Sequence, residues 1–173
     1  REQIIAANRK LAKVSELTPY YNFIVGLPGE TIEDLKETKK LYLQIIMDNP
    51  VAVCFHPNKF RPLPNTVLFD LAERMGYRTP VNLEEWGEIE NEMDFEMPWH
   101  TKKISAYISM LFITTYVIDD KFNKIIRGFS LPCILLRTVA SLYKPIAKLR
   151  LKYDFTGLMV ELSMYRFVQK LLK

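Results

Sequence analysis

Apolar positions along the first hundred residues follow two alternating spacings. Residues 2–17 place Ile4, Ala7, Leu11 and Val14 three or four apart, the period of one helix face, and Thr18-Pro19 stops the run. Tyr20 to Val25 (YYNFIV) is short, aromatic and β-branched, and reads as a strand buried on both faces. Gly26-Leu27-Pro28-Gly29 is a tight turn, and Thr31-Ile32-Glu33-Asp34 opens a helix as a cap. Leu35, Thr38, Tyr42, Ile45 and Ile46 mark that helix's face, which ends at Asn49-Pro50. Val51 to Phe55 predicts a second strand. Strand, turn, helix and strand make a βαβ unit, whose right-handed crossover requires parallel strands. A proline-punctuated loop from His56 to Asn65 follows, then a short helix from Thr66 to Met75 closed by Gly76. Asn82-Leu83-Glu84-Glu85-Trp86 is a further capped helix start.

From Thr101 onward only helical periods occur. Ile104, Ile108, Leu111, Thr115, Ile118, Phe122 and Ile125 predict one stripe of about 26 residues, closed by Gly128. Pro132 opens a second helix, in which Pro145 is a potential kink. Thr156 opens a third, with Leu158, Leu162, Tyr165, Val168 and Leu172 on one face.

Charge divides where this pattern changes. Residues 1–100 carry 11 basic and 16 acidic side chains, and residues 101–173 carry 13 and 4, for +4 overall. The boundary falls at Pro98-Trp99-His100, giving units 1–100 and 101–173. A 173-residue chain that is 49% hydrophobic and 25% charged is globular, which excludes disorder. The longest uncharged apolar run, Ile104 to Ile118, is fifteen residues and too short to span a bilayer. Cys54 and Cys133 are too far apart in sequence for a disulfide framework or an all-cysteine zinc site. With Arg1 already inside a helical pattern and no signal peptide, the expectation is a cytoplasmic piece of a longer protein.

In a parallel sheet, ligands collect at the carboxyl ends of the strands. Two segments qualify. Gly26 to Thr31 leads straight into a capped helix, where glycines admit close backbone approach and first-turn N–H groups face outward. The plain alternative is a turn with nothing bound. No Gly-Lys-Ser/Thr follows, so it is not a phosphate-binding P-loop. The second segment, His56 to Thr66, is stiffened by prolines and carries Arg61, suited to a carboxylate or phosphate. Cys54 and His56 lie two apart on one strand face, but no further ligand completes a metal site, and His56 has no carboxylate to orient it as a base. Seven carboxylates between 84 and 96 lack the register of a calcium loop. Trp86, Trp99 and Tyr107 read as core, with a cavity for a large planar substrate as the alternative. In the basic half, Arg137, Lys144, Lys148, Arg150 and Lys152 interleave with apolar residues; this suits a bundle packed on the first half, or a helix docked on an anionic membrane surface. No nucleic-acid-binding motif is visible.

Together the two loops resemble a known family. The string Phe23-Ile24-Val25-Gly26-Leu27-Pro28-Gly29-Glu30-Thr31, then a helix, a strand and Arg61-Pro62-Leu63-Pro64-Asn65-Thr66, resembles the later part of a radical S-adenosylmethionine barrel. The nearest branch binds cobalamin and includes the anaerobic magnesium-protoporphyrin monomethyl ester cyclases. There a GxPGET turn follows the fifth strand and a P-x-P-G-T loop the sixth. The likeness covers residues 1–100 well and 101–173 loosely. It implies an α/β fold: the last parallel βα units of a partial (β/α)6 barrel, followed by an all-helical C-terminal extension. It also implies that Ile24, Gly26, Pro28, Gly29, Arg61, Asn65 and Thr66 face S-adenosylmethionine, while Glu30 and Thr31 serve the turn and cap. The implied parent would hold a [4Fe–4S] cluster, with cobalamin as an option. Its reaction would be radical-mediated methylation, oxidative cyclisation or other modification of a hydrophobic or tetrapyrrole substrate.

Two departures limit the likeness. The family's Cys-x3-Cys-x2-Cys motif is absent, and Asn65 stands where glycine is expected before Thr66. The piece alone is then inactive, with no catalytic or metal-binding residue of its own. Its partners would be the N-terminal remainder of the parent, the hydrophobic substrate, a peripheral membrane contact and, through an open strand edge, itself. The competing reading is a non-catalytic interaction module that binds a protein or an anionic membrane surface.

Overall fold

The computed structural model describes residues 1–88, 96–118 and 131–163. It is a helix-dominated α/β structure with short parallel strands. In chain order the elements are α1 (Glu2–Leu11), β1 (Tyr20–Tyr21), β2 (Ile24–Val25), α2 (Ile32–Asp48), β3 (Val53–Cys54), β4 (Asn58–Lys59), α3 (Val67–Arg74), α4 (Leu83–Glu88), α5 (Lys102–Thr115) and α6 (Leu131–Tyr153).

The crossover is parallel, as expected. β1 pairs with β3, opposing Tyr20 to Val53 and Tyr21 to Cys54, and β2 pairs with β4, opposing Ile24 to Asn58 and Val25 to Lys59. Between these pairs, two residues on one strand (Asn22, Phe23) face three on the other (Phe55, His56, Pro57), so the second strand bulges where Pro57 has no N–H to offer. Pairing therefore runs on to Lys59, inside the segment expected to be loop from His56. The expectation of burial on both faces fails. Tyr20, Asn22 and Ile24 point outward and are exposed, while Tyr21, Phe23 and Val25 point toward the helices. Among the described residues no element covers the outer face.

α2 is the inner wall. Thr31 caps it with a full capping box: the Thr31 hydroxyl accepts from Asp34 N–H and the Asp34 carboxylate accepts from Thr31 N–H. Leu35, Tyr42 and Ile45 are fully buried on its inner face, each apolar side chain contributing about 2 kcal/mol. α5 packs across α2 and is buried nearly all round from Tyr107 to Thr115; α6 packs against α5, and its end reaches α2. One core cluster joins Val25 and Leu35 to Tyr107, Ile108, Met110, Leu111 and Leu151, so packing runs straight across the charge boundary at 98–100.

Several elements differ from the periodicity. α1 stops at Leu11, not near Thr18, and its expected apolar residues Ile4 and Ala7 are exposed. It docks through a buried polar side chain instead. Asn8 donates to the Ile45 carbonyl (3.0 Å), and its amide oxygen accepts from Tyr21 Oη (3.0 Å) and Asn49 Nδ2 (3.3 Å). α5 ends at Thr115, where the Thr114 and Thr115 hydroxyls bond back to the carbonyls of Met110 and Leu111 and loosen the last turn. The expected continuation through Phe122, Ile125 and Gly128 lies outside the described residues, as do the carboxylates between 89 and 95 and Tyr165, Val168 and Leu172. Leu158, expected on a third helix, has φ +49° and sits in a loop; residues 160–163 turn helical again.

A buried polar tie joins α2, α5 and the end of α6. Lys39 Nζ donates to the Leu151 carbonyl (2.8 Å) and pairs with the Asp154 carboxylate, which also accepts from Tyr107 Oη. Burial and then this hydrogen bond push the Tyr107 hydroxyl well above its usual range.

Candidate functional site

Because β2 and β4 run parallel, the segments leaving them emerge at the same end of the sheet. Phe60 N–H donates to the Val25 carbonyl (2.7 Å), which sets the start of the second loop directly beside the Gly26 turn. The two segments therefore leave adjacent parallel strands at the same end, as the sequence predicted.

The turn closes on itself. Gly26 and Gly29 both have φ +81°, which favours glycine, and Glu30 N–H donates to the Leu27 carbonyl (3.0 Å). The Glu30 carboxylate folds back to accept from Gly26 N–H and Leu27 N–H (3.3 Å). The Gly26 carbonyl accepts from Trp99 Nε1 (3.1 Å) and from His100 Nε2 (3.1 Å), the latter in the tautomer that leaves Nδ1 facing Met97 N–H (3.4 Å). Thus both backbone polar atoms of Gly26 are already engaged by the chain itself. Burial holds His100 below its ordinary pKa, assisted by the Lys59 charge, against the Gly26 hydrogen bond and Glu96.

The seven residues expected to face a nucleoside separate into three groups. Ile24 is 57% exposed on the uncovered sheet face, Gly29 borders open space, and Asn65 is exposed with φ +64°. These remain open to a ligand. Gly26 is buried under Trp99 and His100, and the Thr66 hydroxyl is spent as the cap of α3, accepting from Phe69 N–H (3.2 Å) and donating to the Leu63 carbonyl (2.8 Å). Pro28 and Arg61 are half-buried at the edges. Asn65 takes a left-handed backbone, a conformation that asparagine tolerates better than most residues and that glycine adopts most readily.

Sequence reading missed Trp99 and His100 as partners of the turn. The only signal was their place at the change in charge, and nothing in their spacing points 73 residues back to Gly26. It also missed Leu63 as an open rim residue, 63% exposed beside Asn65. Trp86, Trp99 and Tyr107 line no common cavity: Trp86 and Trp99 pack on the Phe69–Tyr77 cluster, while Tyr107 lies in the α2–α5 core. A cavity between Thr38, Tyr42, Pro57, Leu111, Thr115 and Leu151 is about 10 Å³, room for one water-sized molecule and far too small for a tetrapyrrole.

The residues present do not fit an iron–sulfur cluster. Cys54 is fully buried in the α2–β3 core, and Cys133 lies on α6. Among the described residues, no group of three or more His, Cys, Asp or Glu could hold a metal ion. His56 stacks on Tyr116 (centroids 4.5 Å, 18°) and meets the edge of Phe112 (4.5 Å), so it is part of an aromatic cluster with α5. No helix among the described residues is long and apolar enough to cross a membrane. No protein-family model, curated protein or solved structure matches the chain.

Proposed function

We propose that this chain supplies one rim of an S-adenosylmethionine site, as the last βα units of a radical S-adenosylmethionine barrel whose cluster ligands lie on other polypeptide. The observation that carries the reading is the parallel pairing of β2 with β4, which starts the segment carrying Leu63 and Asn65 beside the Gly26 turn. In this reading Ile24 offers an apolar surface to the adenine ring, and Asn65 and the Gly29 backbone face the sugar and its substituents. Trp99 and His100 hold the turn in shape from behind. Because no thiolate set is present, no chemical step is assigned to residues of this chain. The uncovered face of Tyr20, Asn22 and Ile24 supports the same reading, since parallel sheets are normally covered on both sides.

An interaction module without a nucleoside site is the second reading, favoured by the engaged backbone of Gly26. Calorimetric titration separates them. Under the first reading the chain binds S-adenosylmethionine weakly, with a Kd in the millimolar range because part of the pocket is absent, and Ile24→Asp abolishes the binding. Undetectable binding, or binding unchanged in Ile24→Asp, favours the module.

A further inference from the structure

α6 carries an apolar stripe that no element among the described residues covers. Leu135, Val139, Leu142, Ile146, Leu149 and Tyr153 are spaced four, three, four, three and four apart. At about 100° per residue this places all six within an arc of roughly 80°, along about 27 Å of helix. All six are exposed, Leu142 at 72% and Ile146 at 51%. The neighbouring arc, with Ala147, Arg150 and Leu151, is buried against α5 and the following loop, so the helix is held firmly while the stripe faces out.

The segment after α6 adds further exposed apolar residues. Arg150 turns inward, donating to the carbonyls of Phe155 (3.1 Å), Gly157 (2.7 Å) and Leu158 (2.8 Å) and pairing with Glu161 (2.7 Å). That ordered turn holds Phe155, Leu158 and Val160 outward, at 50%, 82% and 63% exposure.

Charge identifies the occupant. Between 131 and 153 there is no acidic residue; Arg150 is committed to Glu161, while Lys148 and Lys152 stand exposed on the arc beyond the stripe. A second copy of this chain would bring the same basic flank against itself. An anionic lipid surface instead accepts the apolar stripe among its acyl chains and the lysines among its headgroups. We propose that α6 and the 155–160 loop dock this chain on an anionic lipid surface, lying in the interface without crossing it. The proposal is independent of the nucleoside site, which lies on the sheet.

Sedimentation of the full 173-residue chain with vesicles tests it. The chain is expected to pellet with phosphatidylcholine vesicles containing phosphatidylserine, much less with phosphatidylcholine alone, and less as salt rises. Leu142→Glu with Ile146→Glu should weaken binding by about ten-fold or more, and Lys148→Glu and Lys152→Glu by about five-fold each or more. The lysine pair is solvent-exposed, so its circular dichroism and urea midpoint should match those of the parent chain and any loss is a loss of binding. Failure to pellet with anionic vesicles, equal binding to neutral ones, or binding undiminished by the lysine pair would overturn the proposal. So would light scattering showing that the stripe variant dissolves a dimer while lipid binding stays absent.

Discussion

At the residue scale, the turn that closes the candidate rim rests on two glycines with equal φ and unequal surroundings. A Cβ at Gly26 would meet the His100 ring at 2.9 Å, whereas one at Gly29 would meet nothing within 4 Å. Both alanine variants bear the left-handed backbone cost of about 1 kcal/mol. Gly26→Ala must also displace His100, so it should cost about 1 kcal/mol more than Gly29→Ala in urea unfolding. Equal costs would mean that the ring does not seat on the turn. The Lys39–Asp154 tie makes a second unequal pair. The Lys39 side chain is 10% exposed and Asp154 31%. Asp154→Asn tolerates the φ of +52° but leaves a buried ammonium without its counter-charge, a loss of about 2 kcal/mol after allowing for partial solvation. Lys39→Met keeps the apolar stem and leaves a carboxylate that water reaches, costing about 1 kcal/mol. The reverse order, measured by urea unfolding of both variants, would contradict this account of the tie. Neither partner was legible beforehand, because the pair closes over 115 residues.

At the scale of elements, chain ends with local chemistry were legible and ends set by packing were not. Thr31, Thr66, Asn82 and Thr101 all stand at helix starts, and each side chain accepts the N–H three residues on. Thr31→Ala removes one such bond and should cost about 1 kcal/mol, read as a lower midpoint in thermal unfolding. By contrast, the end of α1 at Leu11 follows from residues 12–18 finding little to bury, a fact that spacing cannot carry. The bulge at Phe55–Pro57 was hidden for a related reason. Pro57 read as the start of a loop, yet the strand resumes past it at Asn58. Both parallel strands were predicted, but their one-sided burial depends on what lies across the sheet.

For the whole molecule, the change in charge at 98–100 marked a real change of composition without marking a break in packing. Trp99 and His100, at that boundary, are what tie the helical half to the turn. This gives the molecule an acid sensitivity. A buried histidine held below its ordinary value of about 6.5 stabilises the fold above that pH, and the contribution is lost as pH falls through the lower folded value. Asp154 adds a second loss at lower pH. Burial raises it, but Lys39 and Tyr107 outweigh burial and hold it below the ordinary carboxylate range. Urea midpoints measured from pH 7 to 5 should therefore fall in the parent chain and fall less in His100→Gln, a comparison that removes any share from His56. Parallel slopes would contradict the burial of His100.

The most direct test of the central claim is where S-adenosylmethionine touches the chain. In residue-resolved amide NMR, titration with S-adenosylmethionine should shift the signals of residues 24–30 and 63–66 together, because the proposed site takes both tips as one rim. Shifts confined to one of these segments, or clustered on α6, would contradict it.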